Sequence, residues 1–171
     1  MSCNCKSKNQ TVDVKVKKLD NFIALPNYAY ETDSGLDLYS AEDFIIYPNT
    51  RVKVPTGIAV ELPPGYEIQV RSRSGMASNG VFVTNSPGTV DNSYTGQIFV
   101  LLTNLGTLTV DEYLDTNNDK KGKTFIVNKG QKIAQMVVSP VTKATLTLVD
   151  ELKTTSRSDN GFGSTDRKSV V

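Results

Sequence analysis

Residues 58–70, Ile58-Ala59-Val60-Glu61-Leu62-Pro63-Pro64-Gly65-Tyr66-Glu67-Ile68-Gln69-Val70, carry a large apolar side chain at every second position on both sides of a Pro-Pro-Gly turn. Successive side chains of an extended chain point to opposite faces, so this period of two reads as two strands, each with one buried face. The pattern continues outward. Val12, Val14 and Val16 alternate with Asp13, Lys15 and Lys17, and Leu146 and Leu148 repeat the spacing near the end. Ile98-Phe99-Val100-Leu101-Leu102 is apolar at every position, as expected of a strand buried on two sides. Pro55-Thr56-Gly57, Ser86-Pro87-Gly88 and Gly106 supply further turns. The only helix predicted is a short turn from Ser74 to Ser78, ended by Asn79-Gly80. Short strands at close spacing without a long helical stripe predict an all-β sandwich, barrel or jelly roll.

The length of 171 residues suits one such domain. Its expected limits are 11–153, between a polar tail (1–10) and a Gly- and Ser-rich arm (154–171). Nineteen basic against eighteen acidic residues leave a formal charge of +1, which argues against bulk electrostatic binding to nucleic acid or membrane. No apolar run approaches the roughly 20 residues of a membrane helix, and the start, MSCNCKSKNQ, lacks the apolar segment of a secretory signal. A soluble, cytoplasmic protein is expected. The absence of histidine excludes Ser-His-Asp and Cys-His nucleophiles and His-based metal sites. Cys3 and Cys5, one residue apart in the tail, are poorly placed to bridge. A polar insertion, about 111–123, reads as a long hairpin loop. Asp115, Asn117 and Asp119 have the opening spacing of a calcium loop, but Lys120 stands where that loop needs glycine and Ile126 where it needs a bidentate Glu. The insertion therefore reads as solvated decoration, with a surface for a partner protein as the alternative.

Catalysis without histidine must use carboxylates, hydroxyls, cations, backbone dipoles or an oxygen-bound metal. Five polar clusters offer such groups. The first is Ser34-Gly35-Leu36-Asp37-Leu38. The second, Arg71-Ser72-Arg73-Ser74-Gly75-Met76-Ala77, places a hydroxyl and a guanidinium at a short helix start, an anion site or else a solvent-facing strand end. In the third, Gly88-Thr89-Val90-Asp91-Asn92-Ser93-Tyr94-Thr95-Gly96-Gln97, glycines bracket a carboxylate and a tyrosine. This suggests a tight hairpin whose mouth offers main-chain groups to a flat polar ligand, although Asp91 alone could simply cap the turn. The fourth, Gly130 to Met136, turns Gln135 away from its apolar neighbours. The fifth, Arg157 to Thr165, sets Phe162 between two glycines and lacks the Gly-Lys-Ser/Thr ending of a phosphate-binding loop.

Taken in order from Val12 to Thr165, these clusters resemble the five-motif series of the trimeric deoxyuridine triphosphate nucleotidohydrolases (dUTPases). Asp91-x-x-Tyr94-x-Gly96 and the closing Gly161-Phe162-Gly163-Ser164-Thr165 are the most specific parts. The resemblance implies a distorted jelly-roll or β-barrel homotrimer with shared active sites, one short helix and a C-terminal arm. It also implies Mg²⁺-assisted hydrolysis of dUTP to dUMP and pyrophosphate, which lowers dUTP and supplies dUMP for thymidylate synthesis.

On that resemblance Asp91 is the general base that activates the attacking water. Arg73, Ser74, Gly75 and Gln135 hold phosphates, and Arg157 reaches the γ-phosphate. Asp37 supports the metal through water. Asn85, Gly88, the Thr89–Val90 backbone and the Phe99 backbone lie against uracil, and Tyr94 packs under deoxyribose where a 2′-hydroxyl would collide. Phe162, Gly163 and Ser164 close over the base from the arm of a neighbouring subunit. This chain departs from the common pattern at Asn92-Ser93, Lys132, Ser158, Asp159 and the insertion. The rival readings are the related deoxycytidine triphosphate deaminases, against which Asp91 and the arm speak, and a non-catalytic binding module, against which the intact Asp91, Ser74, Tyr94 and Phe162 speak.

Overall fold

Alternating apolar side chains bury themselves between two four-stranded antiparallel sheets in the computed structural model, which describes residues 11–106 and 123–159. The strands are β1 (Lys15–Lys18), β2 (Leu36–Tyr39), β3 (Phe44–Ile46), β4 (Thr50–Glu61), β5 (Tyr66–Arg71), β6 (Val81–Val83), β7 (Gly88–Val90), β8 (Gln97–Asn104), β9 (Phe125–Val127) and β10 (Lys132–Pro140), with one helix, α1 (Ser74–Ala77). One sheet has the order β1-β4-β8-β6, the other β2-β10-β5-β7, and β3-β9 forms a small third pair. The result is the expected all-β, jelly-roll-like architecture. Ile58, Val60, Ile68 and Val70 from the diagnostic stretch are all buried in one core with Leu38, Ile98, Val100, Leu102 and Ile133. Among the described residues no helix is long and apolar enough to cross a membrane.

Two buried polar side chains repair breaks in this framework. The β4–β8 ladder shifts register between Pro55 and Ala59, and Thr56 donates its hydroxyl to the Ile98 carbonyl at 2.7 Å across the shift. Asn104 closes β8. Its amide donates to the carbonyls of Ile46 (2.9 Å) and Lys123 (2.8 Å), and its oxygen accepts the Gly106 N–H (2.8 Å). Replacing it with leucine, similar in size, strands buried backbone groups that each cost about 1–3 kcal/mol. Asn104→Leu is expected to destabilise the fold by roughly 2–4 kcal/mol, measured by denaturant unfolding.

Four expectations need correction. Leu146 and Leu148 do not form a strand: residues 141–149 have no strand assignment, and these leucines are 93% and 99% exposed. Their spacing is strand-like, but among the described residues no sheet edge covers them. Segment 88–97 is not a hairpin, since β7 pairs with β5 and β8 with β4 and β6, in different sheets. The strands flanking the insertion are likewise not partners, because β9 pairs with β3. Finally, β8 is buried on one face only. Ile98, Val100 and Leu102 point inward, while Phe99 is 37% exposed and Leu101 partly covered. Residues 107–122, which hold all but the last residue of the insertion, the tail with Cys3 and Cys5, and the arm from residue 160 lie outside the described residues.

Candidate active site

Four of the five clusters meet the same sheet. Asp37 lies on β2, Gln135 on β10, Arg73 and Ser74 directly follow β5, and Thr89 and Val90 lie on β7. Register places Gln135 opposite both Asp37 and Arg71, so these three form one row across the sheet.

Around that row lies an open cavity of about 590 Å³, lined by Asp37, Arg73, Ser74, Gly75, Gln135, Lys132 and residues of the 29–35 loop. Asp37, 7% exposed, is held between two cations. Arg73 Nε approaches Oδ1 at 3.1 Å and Lys132 Nζ approaches Oδ2 at 2.6 Å. Lys132 is raised above its ordinary pKa, first by its hydrogen bond to Asp37 and then by that carboxylate's charge. Gln135 donates Nε2 to the Ser72 carbonyl at 3.0 Å, and among the described residues its second amide N–H has no further partner. A Cβ at Gly35 would fall 2.5 Å from Gln135 Oε1 and 3.2 Å from its Cβ, so glycine in the first cluster makes room for the amide of the fourth. In the second cluster the two serines divide their tasks. Ser72 Oγ accepts the Val83 N–H at 2.9 Å and ties β6 down, whereas Ser74 lines the cavity. In α1 the intrahelical donors begin at Met76, so the Ser74 and Gly75 N–H groups precede the helix's own bonds.

A second cavity of about 320 Å³ gathers the third cluster: Asn85, Thr89, Val90, Asp91, Tyr94 and Phe99, with Lys53, Gln97 and Leu101. Gly88 lies on β7 opposite Val70. Asp91 is exposed at the point where the chain leaves one sheet for the other, in a turn closed by the Tyr94 N–H donating to the Asp91 carbonyl at 3.0 Å. Lys53 Nζ stands 4.1 Å from the centroid of the Phe99 ring. The apolar outer face of β8, which looked doubly buried in sequence, lines this cavity.

The two cavities share no lining residue. β7 runs antiparallel to β5 with Val90 opposite Ile68, so β7 ends three residues short of Arg71, about 10 Å along the strand, and Asp91 lies one residue farther away. The single chain therefore brings Asp37, Arg73, Ser74, Gly75 and Gln135 together and keeps them apart from Asp91 and Tyr94. Arg157 lines neither cavity. Phe162, Gly163 and Ser164 lie outside the described residues. Sequence reading noted Lys132 only as a departure and missed it as the partner of Asp37. It also missed Lys53 and Asp33 as lining residues, and it placed Ser34, Gln97 and Gln131 inside the polar clusters without giving them a role. The charge of Lys132 was the available signal, but only the β2–β10 pairing shows what it faces.

Among the described residues no group of three or more Asp, Glu, Cys or His side chains could hold a metal ion. Asp37 fits a supporting place, because a carboxylate offers about four lone-pair directions and the two cations engage one on each oxygen.

The sequence model of the dUTPase family matches residues 21–113 and 116–166. A deoxyuridine 5'-triphosphate nucleotidohydrolase of Clostridium kluyveri is 44% identical over 90% of this chain and 98% of its own length. Its counterpart in Hydrogenobaculum sp. is 48% identical over 90% and 97%. Among solved structures, the dUTPase of Staphylococcus bacteriophage 80alpha with dUpNHpp superposes with a TM-score of 0.74 at 28% identity, over 90% of this chain and 98% of that one. A mutant dUTPase from phage phi11 of S. aureus, described with a structural Mg(II) ion, gives 0.68 at 26% identity over 83% and 99%.

Proposed function

The chain belongs to the dUTPase family, and from that premise we propose that it hydrolyses dUTP to dUMP and pyrophosphate in sites completed between copies of itself. Its relatives carry that activity in their names over nearly their whole length, and the chain is accordingly a dUTP diphosphatase. The observation that carries the shared site is the split described above. A carboxylate suited to activating water and a cradle suited to phosphates stand at different ends of one sheet. A homotrimer joins the second cavity of one subunit to the first cavity of its neighbour.

Within such a site Arg73, Ser74 and Gly75 bind the phosphates with a guanidinium, a hydroxyl and backbone N–H groups, and Gln135 adds its second amide N–H. Asp37 would support a Mg²⁺ carried on the triphosphate through water, and that cation would supply neutralisation of phosphate charge. Asp91 takes the proton of the water that attacks the α-phosphorus. Uracil lies along β7. That strand pairs with β5 alone among the described residues, so its outer edge has main-chain donors and acceptors for a flat base. Tyr94 carries the sugar. The arm with Arg157, Phe162, Gly163 and Ser164 closes the site and expels water. The exposed leucines of segment 141–152 support an arm that packs on another subunit, since Leu146, Leu148 and Leu152 are each at least 88% exposed in the isolated chain.

Pyrophosphate release across dUTP, dCTP, dTTP and UTP tests this reading. A main-chain edge fitted to uracil leaves cytosine's amino group mispaired, at about 1–3 kcal/mol per buried group. With the sugar and methyl contacts added, dUTP is expected to be preferred by about 100-fold or more over each competitor. Comparable turnover of dCTP would sink the proposed base recognition, and ammonia release from it would point to deaminase chemistry.

A further inference from the structure

Tyr94 is held at three points. Its N–H donates to the Asp91 carbonyl at 3.0 Å and its phenol donates to the Gln97 carbonyl at 2.7 Å. Its ring lies over Gly96. A Cβ added at Gly96 would stand 2.7 Å from Tyr94 Oη, 2.8 Å from Cζ and 3.1 Å from Cε2. Contacts under 3.0 Å do not occur between real Cβ atoms and their neighbours, and here they fall on a ring whose far end is already bonded. The backbone gives no competing reason for glycine: Gly57, Gly65, Gly80, Gly106 and Gly130 have positive φ, and Gly96 does not. A left-handed turn therefore does not explain the residue at position 96. The closeness of the ring does.

We propose that Gly96 is a specificity-determining positioning residue: the bare Cα at position 96 is the seat that sets the height of the Tyr94 ring in the second cavity. The inference rests on the reading that Tyr94 lies under deoxyribose. A ring lowered onto glycine fits closely beneath a sugar with hydrogen at C2′ and collides with a 2′-hydroxyl. A ring lifted off an alanine methyl group intrudes on both sugars and loses its bond to Gln97. The displacement also reaches the turn that ends at Tyr94 and begins at Asp91, because that turn is closed by the Tyr94 N–H.

The test is a double-mutant cycle on the full-length enzyme, with kcat/KM measured for dUTP and for UTP. Gly96→Ala is expected to lower kcat/KM for dUTP by about 10- to 100-fold, the scale of a small misplacement in a site. It is also expected to narrow the preference for dUTP over UTP by about tenfold. In a Tyr94→Ala background the same glycine substitution has no ring to meet, and both quantities are expected to change by no more than about twofold. A full effect in that background would overturn the proposal, as would an unchanged preference in Gly96→Ala when Tyr94→Ala alone narrows it. An unchanged preference in Tyr94→Ala itself would instead remove the sugar contact, and the proposal with it. Should Gly96→Ala fail to fold, the double variant is expected to fold and to melt with Tyr94→Ala. Its failure to do so would equally overturn the seat.

Discussion

Asp91→Asn is expected to bind dUTP with nearly unchanged affinity and to lose about 100- to 10,000-fold in kcat, the range ascribed to a positioned general base. The substitution keeps the size of the side chain. It also keeps the Asp91 carbonyl that closes the turn by accepting the Tyr94 N–H, so the second cavity keeps its shape. What it removes is the proton acceptor. An amide oxygen can orient a water but cannot take its proton at neutral pH. With no histidine in the chain, no imidazole stands in for it. Steady-state kinetics with Mg²⁺, paired with equilibrium binding of a nonhydrolysable analogue, separates the two effects. A parallel loss of affinity and turnover would give Asp91 a binding role, and undiminished turnover would remove it from the reaction.

The second large effect is recovery of activity from two inactive enzymes. Arg73→Ala breaks the phosphate cradle and frees Asp37 from one of its two cations, whereas Asp91→Asn leaves that cradle intact. If each site takes its cradle from one subunit and its base from another, co-expressed chains carrying one defect each will form some sites with neither. Among mixed trimers this gives about one site in three with both groups intact, against near zero for either variant alone. The measurement is specific activity of mixed trimers isolated by two different affinity tags. Mixed trimers as inactive as their parents would mean that each chain supplies both groups to the same site, against the separation along β5.

The strands were legible where one face is buried and the other is wet. Ile58 to Val70 shows its period directly, because a slip of one residue would expose the whole apolar set. The short helix after Arg73 was legible from its serine start and the Asn79-Gly80 stop, and Gly80 does adopt a positive φ of 77°. Other features were not legible because they depend on which elements become neighbours. Leu146 and Leu148 alternate as a strand would, but alternation states a preference for a pleated surface and cannot supply the missing partner. Phe99 and Leu101 looked like core, since an apolar residue lining a cavity and one buried in an interior read alike in sequence.

By itself the sequence determined the all-β class, the exclusion of histidine chemistry and the ordered polar clusters that mark the family, because these depend on local periodicity and on residue chemistry. Only the tertiary structure decided that segment 88–97 crosses between sheets, that Lys132 and Arg73 grip Asp37, that Tyr94 rests on Gly96, and that Asp91 stands apart from Arg73, Ser74 and Gln135 in one chain. Those facts arise from contacts between segments distant along the chain or folded back upon themselves. A strand's own pattern says which face it buries, while the pairing of strands says what each exposed group meets.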